Sequence, residues 1–328
     1  MNRTLTLVRR RLLTALPVLL IVVCATFLLL EAAPGDAVDA YILSSGGGDA
    51  ELIAKLRIEW GLDQSAVSRL GVYVWSLLHG DLGWSVLFGR PISSVILERL
   101  PTTLLLMTGA IALSFFLGTS LGIVAGARPG SIQDRLLSVG SLILYAIPGF
   151  WLGLVLAIIF AVHLRWLPSA GIESIASGKH GMARVLDIAR HLVLPVVSLG
   201  MIYLALYIRM MRTGMAEAWR QDFVRGLRAR GLPRAIIVRR IVRNALLPLV
   251  TMLGVQCAAM LGGSVVIESV FAVPGFGRLA HEAVSARDTP LLLGVILSSA
   301  VLVILVNLVV DAVYAWLDPR IGSTGASA

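Results

Sequence analysis

Apolar residues run along this chain in six long stretches, at 12–30, 104–127, 136–162, 192–211, 249–270 and 291–316, each parted from the next by a polar segment. About 20 apolar residues carry a helix across a bilayer, so the pattern predicts an all-α integral membrane protein with six transmembrane helices. The third and sixth stretches are longer than needed, which tilt or an interfacial end accommodates. Pro148 falls inside the third and predicts a kink, because proline removes a backbone donor and clashes with the preceding turn. Neighbouring helices in a membrane tolerate such a defect.

The polar segments have patterns of their own. Residues 31–103 carry Pro34-Gly35, Gly46-Gly47-Gly48 and the aromatic residues Trp60, Tyr73, Trp75 and Trp84. The spacing of Leu52, Ile53, Leu56 and Trp60 predicts an amphipathic helix over 49–60, and 67–78 reads as a second. This segment is expected to be a small ordered subdomain. Residues 212–248 hold nine arginines against two acids, Glu217 and Asp222. An amphipathic helix over 217–230 is expected there, then a break at Gly231-Leu-Pro233, then a basic helix ending at Leu247-Pro248. Gly231 suits a helix C-terminus and Pro233 the first turn of the next helix. Gly118, Gly122 and Gly126, like Gly149 and Gly153, recur every four residues, a spacing that lets helix backbones approach closely. Packing within one subunit and a subunit interface both fit it.

Charge orients these elements. The chain is 57% apolar and 14% charged, with a formal charge of +9 and a mean hydropathy of +0.87. Positive charge near span ends resists translocation. Four arginines precede the first span, two lie in 128–135 and nine in 212–243, so both termini and the basic loop are expected on the cytoplasmic side. Residues 1–30 are then an N-terminal tail and first span, 31–103 an external helical subdomain, 104–320 a five-helix core with its basic loop at 212–248, and 321–328 a tail. Because topology accounts for the basic excess, no nucleic-acid face remains. Cys24 and Cys257 lie in apolar runs and read as buried packing residues rather than a disulfide framework. The first run, 19 residues, exceeds the core of a signal peptide (about 7–15 residues) and reads as an uncleaved span. Large, branched Val23 argues against a lipoprotein site at Cys24.

Catalytic patterns fail on inspection. His281-Glu282 starts a zinc-protease motif, but Ser285 replaces the second histidine. Gly178-Lys179 resembles the end of a phosphate-binding loop, yet Glu173 stands at its first glycine and His180 at its hydroxyl position. No metal site, catalytic residue or nucleotide site is expected. Glu268 and Asp311 are the clear acids near span ends. A carboxylate at mid-membrane costs about 2.5–3.5 kcal/mol on insertion scales, and a structural tie between helices is the favoured role for each. Gln256 and Asn307 stay ambiguous.

A set of short motifs, weak singly, runs in order along nearly the whole chain. It comprises Ala33-Pro-Gly-Asp36, Gly61-Leu-Asp-Gln64, Gly80-Asp-Leu-Gly83 with Ser85, and Arg99-Leu-Pro-Thr-Thr-Leu104. Next come Ile147-Pro-Gly-Phe-Trp-Leu152, Trp166-Leu-Pro168 with Gly171, Asp222-Phe-Val-Arg225, Ala229-Arg-Gly-Leu232 and Arg243-Asn-Ala-Leu-Leu-Pro248. Ile267-Glu-Ser-Val-Phe-Ala-Val-Pro-Gly-Phe-Gly277 and Trp316-Leu-Asp-Pro-Arg-Ile321 close it. In this set the chain resembles the inner-membrane permease subunits of bacterial ABC importers, in the dipeptide, oligopeptide and nickel branch.

The resemblance implies a noncatalytic subunit that works by alternating access. Asp222, Phe223, Arg225, Arg228, Ala229, Arg230, Gly231 and Leu232 would form the coupling helix seated in a cleft of an ATPase subunit. Asn244, Pro248, Glu268, Pro274, Gly275 and Gly277 would be structural motif positions. Gly231 matches the glycine of the family's cytoplasmic signature, but Arg225-Gly226-Leu227 stand where its acid and two alanines belong, so an acidic contact is not assumed. The implied partners are two ATPase subunits that carry ATP and Mg²⁺, a second permease subunit forming a heterodimer, membrane lipid and an extracytoplasmic substrate-binding protein docking on 31–103. Peptides are the first expected substrate, ahead of nickel chelates and other small solutes. A free-standing secondary transporter or channel, and an intramembrane hydrolase, are the rival readings.

Overall fold

The computed structural model describes residues 2–32, 35, 37–44, 47, 49–174 and 178–317. Most of Ala33-Pro-Gly-Asp36, Gly46 and Gly48 of the glycine run, the Asp318-Pro-Arg-Ile321 end of the last motif, the tail beyond it and the side chain of Asp311 lie outside the described residues. In chain order the elements are α1 (Asn2–Glu31), α2 (Ala37–Ser44), α3 (Ala50–Glu59), α4 (Ala66–Leu78), β1 (Trp84–Ser85), β2 (Arg90–Pro91), α5 (Ile92–Ala112), α6 (Gly118–Ala127), α7 (Ile132–Ala146) and α8 (Gly149–Leu156). Then follow α9 (Met182–Ala218), α10 (Asp222–Ala229), α11 (Arg234–Val270), α12 (Phe276–Ser285) and α13 (Thr289–Leu317). A π-helical turn, Leu113–Leu117, joins α5 to α6, and another, Ala157–His163, extends α8.

Four helical stretches among the described residues are long and apolar enough to cross a membrane: Ile92–Ala127, Met182–Ala218, Arg234–Val270 and Thr289–Val309. A fifth exists if α7 and the α8 stretch count as one span, and α1 contributes the shorter apolar segment Leu16–Glu31. The third expected span is more than kinked. It turns by 99° between Ala146 and Gly149. A proline pushes the residue before it out of the helical region, and Ile147 accordingly has ψ 125° while Pro148, at ψ 132°, caps α8. Pro17, Pro101, Pro195 and Pro248, by contrast, sit inside continuous helices.

Contacts divide the chain into two compact units, Met1–Pro101 with Gly275–Leu308, and Thr102–Pro274 with Val309–Ala328. In the first unit, α3 and α4 form close to where the apolar spacing predicts them. Asp49 caps α3 by accepting from Leu52 N at 2.8 Å, and Ser65 caps α4 by accepting from Ser68 N at 3.3 Å. Each such side chain satisfies an N–H that the helix itself leaves unpaired. The core of this unit joins Ile92, Val95 and Ile96 of α5 to Phe276, Leu279 and Ala283 of α12 and to Leu291, Leu292 and Val295 of α13. Buried Asp288 organises its edge. It accepts from Ser85 Oγ at 2.7 Å and Leu87 N at 2.9 Å, and it caps α13 by accepting from Leu291 N at 3.0 Å. Ser85 of the Gly80-Asp-Leu-Gly83 motif region thus fastens the β1–β2 hairpin, in which Trp84 pairs with Pro91 and Ser85 with Arg90, to the start of a long helix.

In the second unit α9 is the central element, with 61% of its apolar window buried against 33% or less in the other candidate spans. Its closest neighbour is α6. A Cβ added to Gly118 would meet Tyr207 Cβ at 2.8 Å and Leu204 O at 3.0 Å; at Gly122 it would meet Met211 Cβ at 2.6 Å and Ile208 O at 2.9 Å; at Gly126, Met215 Cβ at 2.7 Å. The four-residue spacing therefore serves packing within this chain, backbone against backbone. Gly149 meets only the tip of the Ile202 side chain, and Gly153 faces the side chains of Phe271 and Ser198. Near the ends of these helices, buried Asp134 of α7 accepts from Arg212 Nε and Nη2 of α9 at 2.8 and 3.1 Å. This bidentate geometry is the strong form of such a pair.

Replacing Gly122 by leucine should lower the unfolding temperature in detergent markedly, since overpacking costs about 1–3 kcal/mol even without backbone contact. Gly140→Leu on α7, where an added Cβ meets nothing within 4 Å, should leave it nearly unchanged. Equal thermal stability of the two variants would contradict the α6–α9 packing.

Candidate functional site

The arginine-rich loop folds into α10 between the two 37-residue helices α9 and α11. Its boundaries differ from the expected 217–230. Glu217 and Ala218 still belong to α9, a turn occupies Trp219–Gln221, and the helix proper starts at Asp222. Asp222 in the first turn and Arg228 in the last match the helix dipole at both ends. The helix stops as expected: Gly231 has φ +70°, a conformation that glycine adopts without steric cost. Pro233 stands at the N-cap of α11 rather than inside its first turn. The expected second short helix does not end at Leu247-Pro248. It runs on to Val270, because the packing of Ala245 and Leu249 on both sides of Pro248 holds the helix through the missing hydrogen bond.

Only two side chains of α10 are buried, Val224 and Leu227, one turn apart. They enter a cluster with Tyr207, Met211, Met215 and Ala218 of α9 and with Ile237, Ile241, Ala245 and Leu249 of α11. Trp219, in the turn before α10, locks it from the other side. Its Nε1 donates to Gly126 O at 2.9 Å, and the guanidinium groups of Arg228 and Arg234 lie over its ring at 5.2 and 5.7 Å. Arg234 also donates to Ala127 O at 2.9 Å. Both carbonyls are at the end of α6, where helical carbonyls lack an internal partner. Residue type alone did not single out Trp219; only the fold brings it to those carbonyls.

The remaining positions of the predicted docking element face outward. Phe223, Arg225, Arg228, Ala229, Arg230 and Gly231 are exposed, and Leu232 is half-buried against the cluster. Asp222 and Arg225 pair at 3.2 Å with side chains 92% and 77% exposed, so that pair adds little to stability. An amphipathic helix with a firmly anchored inner face and a bare outer one can transmit force to or from a partner as a rigid unit. Beside it, a groove of about 880 Å³ is lined by Phe223 together with Ile236, Arg239, Arg240, Arg243, Asn244 and Leu247 of α11. Asn244 reaches Gln221 Oε1 at 3.5 Å, the long limit of a hydrogen bond.

Other motif residues lie apart from this surface. Glu268 is fully buried and accepts from Thr103 Oγ1 at 2.6 Å, tying α11 to α5. Pro274 sits in the link after α11, Gly275 is the N-cap of α12, and Gly277 is buried in its first turn. Among the described residues no cluster of three or more His, Cys, Asp or Glu side chains is placed to hold a metal ion.

Residues 118–323 match the family described as the binding-protein-dependent transport system inner membrane component. The chain belongs to this family. Similarity extends beyond the matched region: over 96% of the chain and 98% of the relative it is 37% identical to a peptide transport system permease protein of Brucella abortus. The oligopeptide transport system permease protein AppB of Bacillus subtilis is 34% identical over 95% of this chain and 98% of its own length. In fold, the chain is similar to a chain of the MetNI methionine ABC transporter in an inward-facing conformation, with a TM-score of 0.52 and 19% identity over 69% of this chain and 97% of that one. Family membership and the apolar helices together make this an inner-membrane protein that crosses the bilayer several times.

Trp219→Ala should loosen α10 by about 1–3 kcal/mol through loss of one hydrogen bond and two cation–π contacts. Hydrogen–deuterium exchange over 222–232 should rise while exchange in α9 stays slow; unchanged protection of α10 would contradict the anchoring role of Trp219.

Proposed function

We propose that this chain is the noncatalytic permease subunit of an ABC importer that moves peptides across the cytoplasmic membrane. Six spanning helices, with both termini and the basic loop in the cytoplasm, are the arrangement that the charge distribution supports. α10 is the coupling helix: separate ATPase subunits bind ATP and Mg²⁺, grip its outer face, and pass their closing motion to α9 and α11. A substrate-binding protein docks on the external 31–103 segment and releases peptide into the cavity when it opens outward. The chain pairs with a second, homologous permease subunit as a heterodimer.

The observation that carries this reading is the exposed amphipathic α10, fixed by Val224, Leu227 and Trp219 between two long helices. Peptide as cargo follows from the relatives named for peptide transport, which match nearly the full length of this chain.

Proteoliposomes holding this chain, its genomic neighbours for the second permease and the two ATPases, and the cognate binding protein should take up labelled di- to pentapeptides only with ATP. Gly231→Val forces a branched residue into left-handed backbone at a cost of about 1–2 kcal/mol. It should abolish uptake and ATPase association while the chain still inserts. Uptake that persists without any ATPase would make this a free-standing transporter instead.

A further inference from the structure

Several arginines of the basic loop find partners within the chain: Arg212 on Asp134, Arg225 on Asp222, and Arg228 and Arg234 over Trp219. Arg239, Arg240 and Arg243 do not. Among the described residues none of the three has an ion pair or a side-chain hydrogen bond, and all three line the same groove beside α10. Positions 236, 239, 240, 243 and 247 fall on one face of α11. The opposite face, carrying Ile237, Ile241, Ala245 and Leu249, is the buried one. Three guanidinium groups within two turns repel one another, and apart from Asn244 the surrounding wall is apolar, with Phe223, Ile236 and Leu247 all partly exposed. Such a surface calls for a counter-charge that the described residues do not supply.

Depth along the helix separates two kinds of anion. The apolar stretch of α11 begins at Leu249, which puts Leu247 at the hydrocarbon edge. At 1.5 Å per residue Arg243 stands about 6 Å beyond it and Arg240 and Arg239 about 10–12 Å beyond it. The headgroup layer of one leaflet is about 5–8 Å deep. Lipid phosphates therefore lie level with Arg243 alone and do not supply a counter-charge for all three.

We infer that this groove seats an acidic surface of the ATPase subunit, its carboxylates paired with Arg239, Arg240 and Arg243 and an apolar side chain set against Phe223. This rests on the reading of α10 as a coupling helix and adds the sign of the contact: the permease supplies the positive charge and the motor the negative.

The test uses the assembled permease pair in nanodiscs and the purified ATPase subunits. Arg239→Gln/Arg240→Gln/Arg243→Gln should weaken ATPase binding on the order of tenfold or more at low salt and flatten its salt dependence, with an unchanged size-exclusion profile. Independently, Arg240→Lys should couple to Asp or Glu residues of the ATPase under a zero-length carbodiimide cross-linker, the bond located by mass spectrometry. The chain has two native lysines, Lys55 and Lys179, both outside the basic loop, so a cross-link at position 240 is unambiguous. Wild-type-like affinity and salt dependence in the triple variant overturns the inference. So does an intact complex of the Arg240→Lys variant in which the introduced amine couples to no ATPase carboxylate. A binding loss seen only in discs containing phosphatidylglycerol and absent in phosphatidylcholine also overturns it, and assigns the groove to lipid. If the wild-type pair binds no ATPase at all, the coupling reading fails and takes this inference with it.

Discussion

The second unit depends on how closely α6 lies against α9. Three glycines one turn apart bring the backbone of α6 against Leu204, Ile208, Met211 and Met215. A helix pair in lipid gains little from the hydrophobic effect, so contact distance decides its strength. The same approach sets the position of the terminal carbonyls of α6, Gly126 O and Ala127 O, which receive Trp219 and Arg234. Packing inside the bilayer and the placement of α10 are thus one construction. Arg212 on Asp134 adds a polar fastening from α9 to α7 at the same end.

What this construction holds out is a short helix whose economy is unusual for a surface element. Eight residues bury two side chains, leaving the rest of α10 and a whole face of α11 without cover. In a self-sufficient protein such a helix would be marginal, since short helices gain stability chiefly from tertiary packing. Its rigidity here comes from neighbours with 37 residues each. This fits an inner-membrane component of a transport system, in which the chain is one part of a larger machine.

Much of this was legible in the sequence because its causes are local or periodic. Helical spacing around Leu52, Leu56 and Trp60 marked α3 to within a residue or two, Gly231 marked the end of α10 through its need for positive φ, and the glycine spacing marked a close helix contact. The bend expected at Pro148 is present, and what failed was the helix end expected at Pro248. Pro148 and Pro248 carry the same local defect, yet one sits at a 99° turn and the other inside an unbroken helix. Ala245 and Leu249 flank Pro248 within the α9–α10–α11 core and hold the helix together. Around Pro148, Tyr145, Ala146, Gly149 and Phe150 are not buried. Proline supplies the weak point and the surroundings decide whether it opens. Asp288, Trp219 and Asp134 escaped notice for a similar reason, since each acquires its importance from a partner far along the chain.

The unbroken course of α11 has a mechanical consequence. At 1.5 Å per residue, its 37 residues make a rod about 55 Å long, wider than the bilayer it crosses. A pivot of only about 10° around one end would sweep the other through roughly 10 Å, several times the width of a water molecule. A tilt imposed at Arg234 therefore arrives at Val270 as a displacement of that size, provided the packed stretch around Pro248 holds straight.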